Sequence, residues 1–373
     1  MSDRASLLTD FIARSPFAGA RREPLKGDAS SRRYERLHLN GRTAILLDQP
    51  PGETAACPPG ATPAERIALG YNAQARLAGP DVRPFAGAAR YLRARGFSAP
   101  EILHADMANG LLLLEDLGDD LYARAIARGV APTPLYEAAI DLLADLHRAA
   151  APDVLDTPEG WRAPLLTYDE TALLAETQLL LDWYWPATFG APPSDDLRAE
   201  FAALWRAALA PAVAGSRVFV LRDYHAENLL WLPERAGLKR VGLLDFQDGL
   251  AGSRAYDLIS LTEDARRDVD PDLAEAMTAR YIVRAQETDS AFEAAQFRLQ
   301  AAVLAAQRNV KIIGIFTRLW KRDGKPHYPR MHPRLWHYMD RDLAHPELRA
   351  LKDWFDRRIP ADARLTAMRL AGG

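Results

Sequence analysis

The stretch that decides the fold reads LRDYHAEN at residues 221–228, and a second stretch, LDFQ, follows at residues 244–247. Short apolar runs precede and separate them, at 218–221, 228–232 and 241–244. Apolar runs of this length, bounded by turn-forming residues, are typical of buried strands. The sequence therefore predicts two polar loops, each at the end of a short strand, an arrangement in which a rigid scaffold often presents functional side chains.

Three side chains in these loops have the chemistry that phosphoryl transfer requires. Transfer needs a carboxylate that orients the attacking hydroxyl and ligands that hold Mg²⁺ on the phosphates. Magnesium takes oxygen ligands, which an Asn amide and an Asp carboxylate both supply. An Asp-x-x-x-x-Asn match alone is weak, and such residues can simply shape turns, but flanking strands and a downstream Asp-Phe strengthen it. We therefore predict Asp223 as catalytic base and Asn228 and Asp245 as magnesium ligands.

The first 117 residues are rich in strand signals. The runs at 34–39 and 43–47 are joined by Asn40-Gly41. Asn-Gly between two such runs is a strong signal for a tight β-hairpin. A further apolar run at 111–114 predicts a buried strand. We therefore predict a small β-rich N-terminal lobe over residues 1–117.

The remainder of the chain, residues 118–373, has mainly helical periodicity. Apolar residues recur at the three- and four-residue spacing of an amphipathic helix. The predicted helices lie at 133–150, 169–183, 195–210, 271–286 and 291–318. The fold class is therefore predicted to be α+β, with a larger, mainly helical C-terminal lobe that carries the catalytic and metal loops.

Composition narrows the class of protein. The chain has 47 basic and 50 acidic residues, a net charge of −3, whereas a general nucleic-acid binder usually has a basic excess. Cys57 is the one cysteine, so no intrachain disulfide can form, which suits a reducing compartment. The first 15 residues lack the apolar core expected of a signal peptide, and no apolar run of about 18 residues occurs in the sequence. We expect a cytoplasmic protein with no nucleic-acid or membrane partner.

The two loops resemble those of the aminoglycoside phosphotransferase and choline kinase family, relatives of the protein kinases. The catalytic loop of that family commonly reads His-Gly-Asp-Leu-His-x-x-Asn, and this chain retains Asp223, His225 and Asn228. Asp245-Phe246 matches the family's metal-binding Asp, although Arg222 replaces the Gly. The resemblance implies a two-lobed protein-kinase-like fold with ATP and Mg²⁺ as cofactors, in which the N-terminal lobe (residues 1–117) binds the nucleotide.

Three other segments are similar to those of bacterial anomeric kinases that act on N-acetylmuramate and N-acetylglucosamine. They read DASSRRY at 28–34, LDQPP at 47–51 and QRNVKIIGIF at 307–316. This resemblance implies an ATP-dependent sugar kinase whose partner is a small amino sugar. The implied reaction phosphorylates the anomeric hydroxyl and returns cell-wall sugars to metabolism.

Two alternative functions stay open. An aminoglycoside kinase, or another small-molecule O-phosphotransferase, would need an acidic pocket, which residues 263–270 could supply. A catalytically inactive nucleotide-binding scaffold would explain a departure from the family. The strand at 44–48 contains no lysine for the phosphates, and the predicted helix at 84–96 contains no glutamate to pair with one. The joint presence of Asp223, Asn228 and Asp245 argues against the scaffold.

Other groups are therefore expected to hold the nucleotide. Arginine binds phosphate bidentately and stays charged, so arginines beside the loop at 27–31 are candidates, although they could equally be solvated surface charges. The resemblance also places a hinge at 115–117, whose main chain would meet the adenine. The predicted nucleotide-binding residues are Ser30, Ser31, Arg32, Arg33, Glu115 and Leu117.

Substrate contacts are predicted at four residues, namely Trp183, His225, Glu227 and Arg308. An aromatic face suits a sugar ring, but helix-spaced aromatic residues such as Trp183 are more often core. His225 could instead organise the catalytic loop by hydrogen bonding. Arg308, or Lys311, would meet the carboxylate of N-acetylmuramate. The family resemblance also implies that Asp257 braces the catalytic loop.

Overall fold

The computed structural model describes residues 4–25, 32–52, 57–215 and 217–372. The chain forms two compact units that alternate along the sequence. The first comprises Met1–Leu142, Pro152–Leu166 and Ala226–Gly249, and the second comprises Leu143–Ala151, Thr167–His225 and Leu250–Gly373. The expected lobe boundary at residue 117 stays a prediction.

Strands are concentrated in the first unit. The strands of the described chain are β1 (Arg21–Pro24), β2 (Arg33–Leu39), β3 (Arg42–Asp48), β4 (Ile102–Asp106), β5 (Leu111–Glu115), β6 (Val154–Asp156), β7 (Arg162–Pro164), β8 (Arg217–Val220), β9 (Leu229–Trp231), β10 (Val241–Leu243) and β11 (Leu250–Ser253). Of these, β8 and β11 belong to the second unit.

Helices make up most of the remaining regular structure. They are α1 (Arg4–Ala13), α2 (Pro63–Leu69), α3 (Tyr71–Gln74), α4 (Arg83–Ala94), α5 (Tyr122–Ala127), α6 (Pro132–Leu146), α7 (Glu170–Leu179), α8 (Trp185–Phe189), α9 (Asp195–Val213), α10 (Ala255–Thr262), α11 (Pro271–Gln286), α12 (Ala294–Lys321), α13 (His332–Asp342), α14 (Arg349–Arg358), α15 (Ala361–Arg364) and α16 (Thr366–Gly372). None of the described helices is long and apolar enough to cross a membrane.

The first unit contains a five-stranded antiparallel sheet in the order β1-β2-β3-β5-β4. The hairpin between β2 and β3 turns at Asn40-Gly41, and both residues have positive φ (49° and 75°). A two-residue type I′ turn requires that geometry, which Asn and Gly tolerate best. The predicted hairpin is confirmed, and so is the buried strand β5.

One face of this sheet is covered by α1, which the sequence reading did not identify. Leu8, Phe11 and Ile12 of the helix pack against buried sheet residues such as Leu46 and Leu113. Burial of apolar area is the main force that holds such a layer in place. The core of the sheet therefore depends on residues far from it in the sequence.

A two-stranded hairpin of β9 and β10 carries the predicted metal ligands, which lie in the first unit. Trp231 pairs with Val241, and the Leu244 amide donates to the Asn228 carbonyl oxygen at 3.0 Å. Asn228 therefore lies at the start of β9, and Asp245 lies just beyond the end of β10. Both predicted loops are thus positioned by strands, as the apolar runs indicated.

The second unit is built around α12, a helix of 28 residues. Buried side chains occur along most of its length, and α7, α9, α10 and α13 pack on it. The antiparallel pair of β8 and β11 leads into the loop that contains Asp223, because β8 ends at Val220. The predicted helices at 169–183, 195–210, 271–286 and 291–318 all appear, the first continuing from α7 into a π-helical turn, Leu180–Tyr184. A mainly helical remainder after a β-rich start matches the predicted α+β class.

Candidate active site

The loop that contains Asp223 is tied down by a buried carboxylate. Asp257, on α10, accepts hydrogen bonds from the main-chain N–H groups of Leu221 (2.6 Å) and Arg222 (2.8 Å). Burial raises the pKa of Asp257 to about 7; the two N–H donors act in the opposite direction, and the Asp223 charge adds to the rise. The predicted bracing role of Asp257 agrees with this geometry.

Asp223 follows a residue with unusual backbone geometry. Arg222 has φ 75°, in the left-handed region that non-glycine residues rarely adopt. The Asp223 amide donates to the Leu221 carbonyl (3.0 Å), and its carbonyl accepts from the His225 amide (3.2 Å). Outliers of this kind cluster at functional sites, where the surrounding structure holds them. The Asp223 side chain itself is half-buried, which leaves part of it open to solvent.

Asn228 and Asp245 lie side by side in the first unit. The Asn228 amide nitrogen is 3.4 Å from Asp245 Oδ2, and Asp245 also has a left-handed backbone (φ 57°). Rotating the amide by half a turn exchanges its nitrogen and oxygen, so the pair can present two oxygen donors to one point. Such hard oxygen donors fit Mg²⁺. The two side chains therefore meet the chemical requirement for the predicted metal site.

The other oxygen of the Asp245 carboxylate is held by two donors. Arg32 Nη1 lies 3.0 Å from Asp245 Oδ1, and Gln247 Nε2 lies 2.9 Å from the same oxygen. Arg32 Nε also donates to Gln49 Oε1 at 3.1 Å, and the Arg32 side chain is 11% exposed. Arg33, in contrast, is exposed. The structure thus distinguishes two neighbouring arginines that the sequence treated alike. Ser30 and Ser31 lie outside the described residues.

The predicted hinge residues have engaged side chains. Glu115, at the end of β5, forms ion pairs with Arg93 (3.2 Å) and Arg235 (2.8 Å). Leu117 is buried against Leu230 and Leu232. Both side chains therefore serve the packing of the first unit, and the expected contact between the main chain here and adenine stays a prediction.

Among the predicted substrate residues, His225 and Arg308 are buried in the second unit. His225 Nε2 lies 3.4 Å from Arg266 Nη1, and Arg308 donates to the Glu263 carbonyl at 3.2 Å. Glu227 is exposed, and Trp183 is half-buried in the π-helical turn after α7. All four stay predictions as substrate contacts, because the geometry shows their surroundings and not a bound sugar.

The buried imidazole of His225 predicts a pH effect on stability. Burial lowers the pKa of His225 to about 3, so its folded-state pKa lies below the ordinary value near 6.5. Stability from the neutral imidazole is present above pH 6.5 and is lost as pH falls toward 3. The unfolding free energy of the wild type should therefore decrease as pH is lowered below 6.5. We expect His225→Gln to make this decrease smaller, by up to about 1.4 kcal/mol per pH unit.

Urea unfolding at pH 7, 6, 5 and 4 measures this dependence. His337→Gln, which replaces an exposed histidine, is the matched control and should follow the wild type. If His225→Gln and His337→Gln gave the same slope against pH, His225 would not be the group that takes up the proton on unfolding.

Several charged residues beside the loop that contains Asp223 were not identified from the sequence as a group. Glu176 lies on α7 with its side chain 0% exposed, and it contacts Arg222 and Lys311. The available signal was an acidic residue within the apolar run LLAETQLLL at 173–181. A charged residue at such a position is rarely fully buried unless it is paired.

A cavity of about 450 Å³ opens in the second unit beside the segment that follows α10. Arg330, Arg334 and Arg341 line it, together with Asp268. Arg334 Nε pairs with Asp268 at 2.5 Å, and Arg341 pairs with Glu263, which does not line the cavity. The lining therefore carries more positive than negative charge.

Comparison with known proteins identifies the family. The model of the phosphotransferase enzyme family matches residues 21–297. The chain belongs to this family. A relative from Caulobacter vibrioides, named N-acetylmuramate/N-acetylglucosamine kinase, is 47% identical over 367 residues, covering 97% of this chain and 99% of the relative. A protein of the same name from Pseudomonas aeruginosa is 33% identical and covers 88% of this chain and 86% of the relative.

The fold of this phosphotransferase is shared with a solved choline kinase from Cryptosporidium parvum. The TM-score is 0.54 at 9% identity, over 94% of this chain and 99% of the choline kinase. A likeness at such low identity bears on the fold alone. The predicted kinase-like fold and the predicted family are both confirmed.

Proposed function

We propose that this chain transfers the γ-phosphoryl group of ATP to the anomeric hydroxyl of N-acetylmuramate and N-acetylglucosamine. The observation that carries the proposal is the relative of that name, which is 47% identical along almost the whole of both chains. The products, sugar 1-phosphates, would return cell-wall sugars to metabolism in the cytoplasm.

The proposed chemistry assigns one role to each motif residue. Asp223 orients the sugar hydroxyl and accepts its proton. An anomeric hydroxyl is more acidic than an ordinary sugar hydroxyl, so a well-placed carboxylate suffices as base. Asn228 and Asp245 would hold Mg²⁺, which neutralises charge on the phosphates when it is bound. Arg32, already directed at Asp245, is the proposed replacement for the strand lysine.

The surroundings of residues 263–270 favour an amino sugar over an aminoglycoside. A polycationic substrate needs accessible acidic groups, yet Glu263 and Asp264 are buried. Glu263 is bound by Asn309 (2.7 Å) and by Arg341. The neighbouring arginine-lined cavity suits an anion, such as the carboxylate of N-acetylmuramate, better than a polycation. The exposed carboxylates of the segment are also engaged, since Asp268 pairs with Arg334 and Asp270 accepts the amides of Asp272 and Leu273 at the start of α11. The segment therefore gives little support to the aminoglycoside alternative.

The proposal is tested by ADP release with ATP and Mg²⁺ and, in separate reactions, N-acetylmuramate, N-acetylglucosamine and kanamycin. We expect turnover of both amino sugars, little turnover of kanamycin, and a product whose phosphate is on the anomeric carbon by phosphorus NMR. Such a 1-phosphate is acid-labile, unlike a 6-phosphate. An acid-stable product would exclude anomeric transfer, preferential use of kanamycin would favour the alternative enzyme, and no ADP release with any acceptor would favour the inactive scaffold.

Arg32→Ala is expected to raise the KM for ATP by about one to two decades, because charged hydrogen bonds to phosphate contribute about 1.5–3 kcal/mol. The KM for the sugar should change little. Arg33→Ala is the matched control, because it removes the same charge at the next residue, which is exposed. The kinetic constants of Arg33→Ala should stay close to those of the wild type. Steady-state kinetics with each substrate varied in turn gives both values, and an unchanged KM for ATP in Arg32→Ala would return Arg32 to a structural role.

A further inference from the structure

The residue before the proposed base is held in a strained conformation from three sides. Its left-handed backbone (φ 75°) brings Cβ close to the following carbonyl oxygen, which only glycine avoids. Asp257 accepts the Arg222 N–H at 2.8 Å, and Ser260 Oγ donates to the Arg222 carbonyl at 3.5 Å. The third constraint acts on the guanidinium, which contacts the Glu176 carboxylate. Strain at a residue persists only where such contacts fix it.

The guanidinium of Arg222 is enclosed by the second unit. The Arg222 side chain is 1% exposed, and its guanidinium carbon lies 4.9 Å from the centroid of the Tyr168 ring. Arginine stacks on aromatic faces and binds carboxylates in a fixed plane. The orientation of this side chain is therefore fixed by Tyr168 and Glu176 together, and the main chain at residue 222 is fixed with it.

Glu176 is the centre of a buried network that joins α7 to α12. Its carboxylate receives Lys311 Nζ at 3.0 Å and Gln307 Nε2 at 2.9 Å, and it also accepts from the Tyr168 hydroxyl. Gln307 and Lys311 are four residues apart on α12, so both lie on one face of that helix. With Arg222, four donors thus surround one carboxylate.

The network is charged, although burial opposes charge. Burial by itself raises the pKa of Glu176, but the Lys311 and Arg222 cations outweigh it and lower the pKa to about 2. Burying ions costs solvation energy that an apolar cluster of similar volume would not lose. An ion pair in this position therefore contributes little to stability. It does fix the orientation of the Arg222 side chain, which an apolar contact would not do.

We propose that Glu176 is a positioning residue, which acts through Arg222 to hold the main chain before Asp223 in the conformation that phosphoryl transfer requires. The proposal rests on the proposed function in one respect, namely that Asp223 is the base. A base must lie within hydrogen-bonding reach of the hydroxyl, so a displacement of about 1 Å lowers the rate up to about 100-fold.

Glu176→Gln tests this directly, because it removes the charge and keeps the shape. We expect kcat to fall by about 10- to 100-fold, with the KM values for ATP and sugar within about threefold of the wild type. Glu176→Asp, which keeps a carboxylate, should recover part of the loss. Thermal unfolding and binding of a fluorescent nucleotide establish that each variant is folded. If Glu176→Gln does not fold, the same kinetic constants are measured for Glu176→Asp and Arg222→Lys.

Glu275→Gln is the matched control for Glu176→Gln. It makes the same chemical change at an exposed glutamate of α11, which pairs with Arg298, and leaves the ion pair between Glu176 and Arg222 in place. Its kcat should stay within about threefold of the wild type. Arg222→Gly relieves the backbone strain but removes the guanidinium, and it should lower kcat as Glu176→Gln does. Because the two residues act as one unit, the double variant should fall no further than either single variant.

Two outcomes would overturn the proposal: a folded Glu176→Gln with wild-type kcat, or losses that multiply in the double variant. Both outcomes can be distinguished from failure of the proposed function, because that function is tested separately by ADP release from the wild type with different acceptors. The kinetic constants are measured with whichever acceptor that screen identifies, so the positioning role is tested even if the sugar assignment is wrong.

Discussion

Replacing Asp223 by Asn should lower kcat by about 10²- to 10⁴-fold while the protein stays folded and still binds nucleotide, because loss of one general base has that effect. The amide has nearly the shape of the carboxylate but cannot accept the hydroxyl proton. The loop should also tolerate the amide, because Asp223 is only half-buried and the main-chain bonds from Leu221 and Arg222 to Asp257 do not involve its side chain.

The measurement compares turnover of the amino sugar with nucleotide affinity in the same preparation. Asp272→Asn, an exposed position in α11, makes the same chemical change away from the motif and should behave as the wild type. Wild-type kcat in Asp223→Asn would remove Asp223 from the mechanism. A parallel loss of nucleotide binding and of the unfolding transition would instead mean that Asp223 is needed for folding.

The elements that were predictable from the sequence are those whose signals are local. Asn40-Gly41 defines its hairpin within two residues, and the spacing from Asp223 to Asn228 is contained in one loop. The helix α1 was missed because its stability depends on a sheet surface built from residues 37–113. Strand β1 was missed for a similar reason: all four of its residues are exposed, and Arg22 pairs with Glu35 on the neighbouring strand at 2.6 Å.

The contacts that support the site were not predictable, because they join residues that are distant in the sequence. Arg32 and Asp245 are 213 positions apart, and Arg222 and Glu176 are 46 apart. The sequence identifies Arg32 and Arg33 as charged but does not indicate that Arg32 is paired and Arg33 is solvated, because pairing requires the elements to pack first. For this reason Arg33 was ranked with Arg32, and Glu176 was not identified as part of the site.

Asp245→Ala is expected to abolish most of the Mg²⁺ dependence of ATP binding. The substitution removes the anionic member of the proposed ligand pair and leaves Asn228, a neutral donor, alone. It also removes the carboxylate partner of Arg32, so the guanidinium, which keeps its contact with Gln49, can meet the phosphates directly. The two effects have opposite signs: affinity for Mg²⁺-ATP should fall, whereas affinity for ATP without metal should stay the same or rise.

Titrating ATP with and without Mg²⁺ separates these effects, since only the ratio of the two affinities reports the metal. Asp248→Asn is the matched control, because this part-buried carboxylate, three residues on, accepts from the Ala78 amide at 2.6 Å and is not a proposed ligand. The wild type and Asp248→Asn should both bind ATP more tightly with Mg²⁺ than without it. An equal gain from Mg²⁺ in Asp245→Ala would show that the metal is held elsewhere. In that case the ion pair with Arg32, and not metal binding, would account for the left-handed backbone at Asp245.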